Sequence, residues 1–72
     1  MEFLAEREAI GRAIAEERKR QNLTQSRLAL MAEINEGYLC EIEKGIANAT
    51  INKLLAIAKA LGIALADLLE GV

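Results

Sequence analysis

Apolar residues recur every three or four positions along most of this chain, which is the spacing of one face of an α-helix. In the first segment, Phe3, Ile10 and Ile14 stand near helical spacing, and glutamate and arginine occupy many of the other positions. The basic run at residues 18–20 closes this segment, where cations interact favourably with the helix dipole. The pattern predicts a first helix over about residues 3–20.

Two short helices are predicted next, each preceded by a residue that can cap it. Thr24 precedes a helical pattern at residues 25–31, and Asn35 precedes another that runs to about Lys44. Threonine and asparagine side chains accept hydrogen bonds from the amides of a first helical turn, which favours them at this position. Gly45 fits the left-handed position that follows the end of many helices.

A fourth helix is predicted to begin after Thr50 and to end at Gly62, and a fifth, of one or two turns, covers residues 64–69. The broad apolar face of the fourth helix consists of Leu54, Leu55, Ile57, Ala58 and Leu61. Proline is absent, and alanine, leucine, glutamate, lysine and arginine dominate, a mixture that favours helix over strand. The expected fold class is all-α, with five helices and no strand.

The length of 72 residues predicts a single domain, residues 1–72, with a small core. The only aromatic residues are Phe3 and Tyr38, so the core is expected to be aliphatic. No apolar run approaches the ~18 residues that a membrane helix needs, and no signal peptide is apparent. A single cysteine, Cys40, cannot form an internal disulfide, and a cytoplasmic protein is therefore expected.

The sequence contains few of the residue patterns that are typical of catalytic sites. The chain has no histidine, no suitably spaced metal ligands and no glycine-rich phosphate loop, and it is too short for a substantial pocket. Cys40 is interpreted as a small side chain near the helix pair rather than a redox sensor, because the nearby carboxylates do not stabilise a thiolate. We expect no enzyme activity, metal, cofactor or small-molecule ligand.

Small domains bury only about 60% of the surface of their unfolded chain, and pairing would add buried area. Leu65, Leu68 and Leu69 offer either ordinary core positions or a shared dimer surface. Because a short helix does not turn all three inward, we expect a homodimer formed through the C-terminal helices.

Two short helices joined by a turn of about three residues form the outline of a helix-turn-helix unit. The second helix of such a unit can lie in the major groove of DNA and present its N-terminal residues to base edges. In and around this helix pair, the chain contains these stretches, in order: Ile10-Gly11-Arg12, Arg18-Lys19-Arg20, Leu23-Thr24-Gln25, Leu28-Ala29, Tyr38 to Gly45, and Leu54 to Gly62.

In residues and order, these stretches resemble the Cro and repressor family of helix-turn-helix proteins, also called the XRE family. The resemblance covers residues 10–69. It implies a compact five-helix, lambda-repressor-like domain with the helix-turn-helix at helices 2 and 3. It also implies a sequence-specific transcriptional regulator of double-stranded DNA, which we expect to be a dimeric repressor that reads a palindromic operator.

The resemblance implies DNA contacts by the helix pair. Gln25 opens the second helix and would contact a phosphate or a base edge. Asn35, Glu36 and Gly37 begin the recognition helix near Asn35 and would face the bases. Tyr38 would brace against the DNA backbone.

The resemblance implies further contacts around the helix pair. Asn48 and Thr50 open the fourth helix and would bind phosphate through backbone N–H groups. Arg18 and Glu43 occupy positions that form a largely buried ion pair in relatives. Apart from the resemblance, the chain offers cations around the recognition helix that could meet the DNA backbone: Arg27, Lys44 and Lys53.

Four positions depart from the family pattern. Glu33 stands where glycine is common, so a non-glycine residue is expected in an unusual backbone conformation. Ala49 replaces a usual proline, and Ala64 removes the side-chain cap of the last helix. Gly37 replaces a larger polar residue at a position that reads bases.

The charge balance keeps a second function open. The chain carries nine basic and eleven acidic residues, and residues 33–45 contain four carboxylates and one lysine. Such a surface repels phosphate and favours a protein-binding adaptor, or an antitoxin-like module, on the same fold with weak or no DNA binding. Glu36 is open to two interpretations as well, as an acceptor for the amine of cytosine or as a carboxylate that favours the helix dipole.

Overall fold

Five helices make up the computed structural model, which describes residues 2–72, and this part of the chain contains no strand. The helices are α1 (Leu4–Arg20), α2 (Gln25–Ala32), α3 (Glu36–Glu43), α4 (Ile51–Leu61) and α5 (Leu65–Leu68). The predicted all-α fold class is confirmed, and each helix lies within a few residues of its expected bounds. None of the helices described is long and apolar enough to cross a membrane.

Hydroxyl caps start α2 and α4, as the sequence predicts. The side-chain oxygen of Thr24 accepts a hydrogen bond from the amide of Arg27 at 3.0 Å, and that of Thr50 accepts one from the amide of Lys53 at 3.2 Å. A cap of this kind stabilises a helix by about 1 kcal/mol. The amino ends of these two helices are therefore defined by local sequence.

Left-handed backbone ends several of the helices. Gly45, with φ of 78°, follows α3, and Gly62, with φ of 73°, caps α4. Glu33 caps α2 with φ of 58°, which confirms the unusual conformation expected there. Gly45 is also a close-approach position, because a Cβ atom there would lie 2.9 Å from the Cα atom of Glu8.

The core is aliphatic, as predicted. The two aromatic residues stay out of its centre, because Phe3 is 69% exposed and Tyr38 is half-buried at the edge. The buried apolar side chains are Ile14, Leu28, Ala29, Ala32, Leu39, Ile42, Leu54, Ile57, Ala58, Leu61 and Leu68.

Helix α1 crosses the end of α3 at very short range, and Gly11 makes this possible. A Cβ atom on Gly11 would lie 2.3 Å from the carbonyl oxygen of Ile42 and 2.5 Å from that of Glu43. A side chain at this position would force the two helices apart. The crossing also sets Arg18, further along α1, within reach of Glu43.

The C-terminal end of α1 is tied to the end of α4. Gln21 donates from Nε2 to the carbonyl oxygen of Leu61 at 2.7 Å and to Oε2 of Glu17 at 2.8 Å. Arg20 also donates hydrogen bonds to Glu17, and these bonds, followed by the one from Gln21, hold the pKa of the Glu17 carboxyl below its ordinary value of 4.5.

Helix α5 divides the three C-terminal leucines. Leu68 is 1% exposed and belongs to the core, Leu65 packs partly against it, and Leu69 is 38% exposed. The expectation of one dimer surface containing all three is therefore corrected, because Leu68 is already buried within the protomer. Ala64 lacks a side-chain cap, but Asp67 accepts a hydrogen bond from the Ala64 amide at 3.0 Å and holds the start of the helix.

Candidate nucleic-acid interface

Residues 33–35 form the turn between α2 and α3. The amide of Ile34 donates to the carbonyl oxygen of Ala29 at 2.9 Å, and that of Glu33 donates to Leu30 at 3.2 Å. The side chain of Ile34 packs partly against the core. These bonds fasten the turn to the end of α2 and set the direction in which α3 leaves it.

The amino end of α3 is capped by Asn35. Its Oδ1 atom accepts from the amide of Gly37 at 2.8 Å and from that of Tyr38 at 3.2 Å. The side chains of Leu39 and Ile42 are buried in the core. The opposite face of α3 therefore points to solvent.

Exposed residues at the start of α3 include all three that were expected to face bases, Asn35, Glu36 and Gly37. The oxygen of the Asn35 side chain is occupied by the helix cap, so its Nδ2 group is the part left to donate outwards. Tyr38 is half-buried beside them. The exposed end of α3 is thus a narrow surface that presents the side-chain amide of Asn35, the carboxylate of Glu36 and the backbone of Gly37.

Arg18 and Glu43 form an ion pair that joins α1 to α3. The Nε atom of Arg18 lies 2.8 Å from Oε2 of Glu43, and its Nη2 atom donates to Oε1 at 3.1 Å. The remaining nitrogen, Nη1, donates to the carbonyl oxygen of Leu23 at 2.9 Å. The two side chains are only 11% and 6% exposed, so this bidentate pair is well shielded from solvent.

Gln25 is held by the same carboxylate. Its Nε2 atom donates to Oε1 of Glu43 at 2.9 Å, so the first residue of α2 is tied to the last residue of α3. A glutamine amide has a second N–H and a carbonyl oxygen, and these stay available for a group outside the protein. The side chain expected to contact DNA is therefore positioned by the ion pair.

The loop from Gly45 to Thr50 lies beside the C-terminal end of α3. The amides of Ile46 and Ala47 donate to the carbonyl oxygen of Glu41 at 2.9 and 3.2 Å. Asn48 and Thr50 are exposed. The amide of Lys53 is bonded to the Thr50 hydroxyl, so the amides of Ile51 and Asn52 are the first-turn donors without a partner within the helix. The start of α4 can therefore receive an anion from solvent.

The expected cations Arg27, Lys44 and Lys53 are all exposed. Exposed carboxylates stand among them, on Glu33, Glu36 and Glu41. The candidate surface is mixed in charge, with cations around an acidic recognition helix. Within residues 2–72 no group of side chains is arranged to hold a metal ion.

Sequence reasoning missed two features of this surface. Ile46 and Ile51, which are 54% and 61% exposed, stand next to the polar residues of the loop. Arg7 lies beside Asn48 in a small cleft between α1 and the loop. The helical spacing of Arg7 and Ile10, three residues apart, offered one signal, because it puts both on the side of α1 that faces the body of the protein.

Comparison with known proteins also identifies a helix-turn-helix domain. The helix-turn-helix family model HTH_3 matches residues 14–68. The chain is 33% identical over 51 residues to the control protein C.BamHI of Bacillus amyloliquefaciens. That match covers 71% of this chain and 63% of the relative, so the chain spans less than two thirds of the relative's length.

Two solved structures resemble the whole arrangement. The restriction-modification controller protein C.AhdI from Aeromonas hydrophila has a TM-score of 0.87 at 28% identity, covering 89% of this chain and 97% of that one. SinR, the master regulator for biofilm formation, solved in complex with DNA, has a TM-score of 0.80 at 31% identity. That match covers 85% of this chain and 98% of SinR.

Proposed function

This chain belongs to the helix-turn-helix family, and we propose that it is a sequence-specific DNA-binding transcriptional regulator whose helix α3 reads the major groove. One observation carries the proposal, the exposed amino end of α3. Asn35 caps it, and Leu39 and Ile42 anchor its opposite face in the core. A rigid helix end that faces solvent is what base-edge contacts require.

The first turn of α3 supplies the base contacts in this proposal. Glu36 accepts a hydrogen bond from the exocyclic amine of a cytosine, and Asn35 donates from Nδ2. Gly37 lets the backbone of α3 approach the groove floor closely. Tyr38, at the edge of the same surface, packs against the sugar-phosphate backbone.

Phosphate contacts on both sides of α3 fix its register on the duplex. On one side, Gln25 and Arg27 at the start of α2 contact one strand. On the other side, Asn48 and Thr50 offer the amides at the start of α4, and Lys53 adds a charge. The solved complex of SinR with DNA supports this use of the shared fold.

The biological unit in this proposal is a homodimer that represses transcription from a palindromic operator. Leu69, exposed at the end of α5, and the partly buried Leu65 form the centre of the dimer surface. The two α3 helices then lie about 34–36 Å apart, one turn of DNA. We propose that the dimer acts in the cytoplasm, without enzyme activity or a bound cofactor.

A protein-binding adaptor is the second candidate, and the charges of α3 favour it. Glu36 and Glu41 are exposed, and a carboxylate surface repels the phosphates of DNA. The exposed cations Arg27, Lys44 and Lys53 surround these carboxylates and favour the DNA-binding proposal instead.

Selection of bound duplexes from a random DNA pool at about 100 mM salt tests the proposal. We expect enrichment of a palindrome with half-sites about one helical turn apart. Binding that enriches no sequence and stays at the ~10⁻⁴–10⁻⁶ M of non-specific contact would favour the adaptor.

The salt dependence of binding to the selected duplex is the second readout. A dimer that makes about 4–8 phosphate contacts should give a log–log slope of roughly −4 to −7. Lys53→Gln should reduce the steepness of that slope, whereas Lys59→Gln, an exposed change at the opposite end of the same helix, should leave it unchanged. A slope near zero for the unmodified protein contradicts the electrostatic part of the proposal.

A further inference from the structure

Arg7 is a half-buried cation of α1 whose donors are not satisfied within the protein. Its Nε and Nη2 atoms are shielded from solvent, and neither has an acceptor among residues 2–72. A guanidinium has five N–H donors, accepts no hydrogen bond and stays charged at all ordinary pH values. The buried guanidinium of Arg18, by contrast, donates from all three nitrogens.

Arg7 lines a narrow cleft of about 50 Å³ between α1 and the loop before α4. A space of this size holds about one water molecule and neither an organic ligand nor a whole phosphate group, so the guanidinium has to turn outward to meet a phosphate. Its lining residues are Arg7, Ile10, Ile42, Ala47, Asn48, Ala49 and Leu54. Two of these, Arg7 and Asn48, carry polar side chains.

A second feature of this region favours an anion. Helix α4, with eleven residues, begins at Ile51 directly after the loop whose residues line the cleft, and the start of a helix carries the positive end of its dipole. Arginine binds phosphate with two parallel hydrogen bonds, whereas a single amide gives one. Arg7 lines the same cleft as the loop that leads into this helix, so a cation and a helix start both favour an anion in this region.

We propose that Arg7 is a DNA-backbone contact: its guanidinium, shielded and without an acceptor in the free protein, turns outward and donates to a phosphate that also meets the loop at Asn48. The inference rests on the proposed function, and it extends the interface from the helix-turn-helix to α1. The contact would also partly offset the negative charge of the recognition helix, because Arg7 adds one cation per protomer on the side of α3 next to the loop.

The experiment compares Arg7→Gln and Arg7→Lys with the unmodified chain in salt titrations, on the selected duplex and on an unrelated one. We expect Arg7→Gln to weaken both complexes by a similar factor, about tenfold, because phosphate contacts carry no sequence information. The slope should become less steep by about 0.9 per protomer. Arg7→Lys should retain most of the slope, because it keeps the charge. Arg12→Gln, an exposed change on the same helix, is the matched control and should change neither quantity.

Urea unfolding of the same variants separates binding from structure. If Arg7 makes its contact only with DNA, Arg7→Gln should leave the unfolding midpoint unchanged or raise it. The reason is that the substitution removes a shielded charge that has no acceptor in the free protein. A lowered midpoint for Arg7→Gln together with an unchanged salt slope would overturn the inference and assign Arg7 a structural role. Equal slopes for Arg7→Gln and the unmodified chain overturn it whatever the midpoint. Failure of the unmodified chain to bind any duplex overturns this inference and the proposed function together, whereas the first two results leave the proposed function standing.

Discussion

At the scale of single residues, the carboxylate of Glu43 does the most to join the helices of the candidate interface. It accepts hydrogen bonds from Arg18 on α1 and from Gln25 on α2, while its own backbone ends α3. A buried ion pair is weak evidence of stability in itself, because desolvation offsets its Coulomb energy. Its consequence here is geometric, since one side chain sets the position of three helices.

Loss of that carboxylate should be costly. Glu43→Gln leaves the guanidinium of Arg18 buried without a counter-charge, and we expect the free energy of unfolding to fall by about 3–5 kcal/mol. Urea unfolding followed by circular dichroism measures the change. Glu41→Gln, an exposed carboxylate on the same helix, is the control and should stay within about 0.5 kcal/mol. A loss below about 1 kcal/mol for Glu43→Gln would show that the pair is not as shielded as its 11% and 6% exposures indicate.

At the scale of helices and turns, the sequence predicted the ends of elements better than their contacts. Thr24, Asn35 and Thr50 cap the three helices they were expected to cap, because capping depends on the residue and on amides two or three positions away. Helix α5 shows the limit of such reasoning. Ala64 cannot cap, but Asp67 binds the backbone amide of Ala64 from the first turn and keeps the helix start in place.

The turn between α2 and α3 stores strain at Glu33, whose φ of 58° is unfavourable for any residue with a Cβ atom. Glu33→Gly should therefore raise the free energy of unfolding by about 1 kcal/mol, after the extra flexibility of glycine in the unfolded chain is subtracted. Thermal and urea unfolding test this. Glu41→Gly in the right-handed helix α3 should have the opposite sign and lower stability by about 0.5–1 kcal/mol. A loss of stability at both positions would mean that the side chain of Glu33 makes a contact that outweighs its backbone strain.

At the scale of the whole molecule, the mixed charge of the surface means that DNA binding has to depend on local contacts rather than on net charge. The net charge is −2, so steering by overall charge does not favour DNA. Local cations around an acidic α3 then have to provide the phosphate contacts. Salt dependence is for this reason a more informative measurement than affinity alone.

The proposed dimer makes a prediction about Leu69, which is 38% exposed at the end of α5. A carboxylate in the centre of an apolar interface is strongly unfavourable, so Leu69→Glu should give a monomer. The monomer should bind a palindrome much more weakly than the dimer, because it engages one half-site at a time. Sedimentation equilibrium and binding to the selected duplex measure both effects. Leu30→Glu, a change at a 67% exposed position on α2, should leave the protein dimeric. An unmodified chain that sediments as a monomer at all concentrations contradicts the dimer proposal.

The left-handed turn at Glu33 was expected from the family resemblance, because glycine is common there in the family. The sequence by itself determined the helices, the caps of α2, α3 and α4, and the aliphatic core. Each of these depends on residue type and on neighbours within about one helical turn, so local pattern is sufficient. The ion pair of Arg18 with Glu43 could be anticipated from the family resemblance, although its partners are 25 residues apart.

Only the tertiary structure decided which side chains meet across helices. It places Leu68 in the core and leaves Leu69 exposed, although the two leucines are neighbours at the end of one short helix. It ties Gln25 to Glu43, and it sets Arg7 in a cleft beside Asn48. These outcomes depend on the angle and distance at which helices cross. At the α1–α3 crossing, the absence of a Cβ atom at Gly11 sets that distance. The helical pattern of a sequence does not reveal such a close approach.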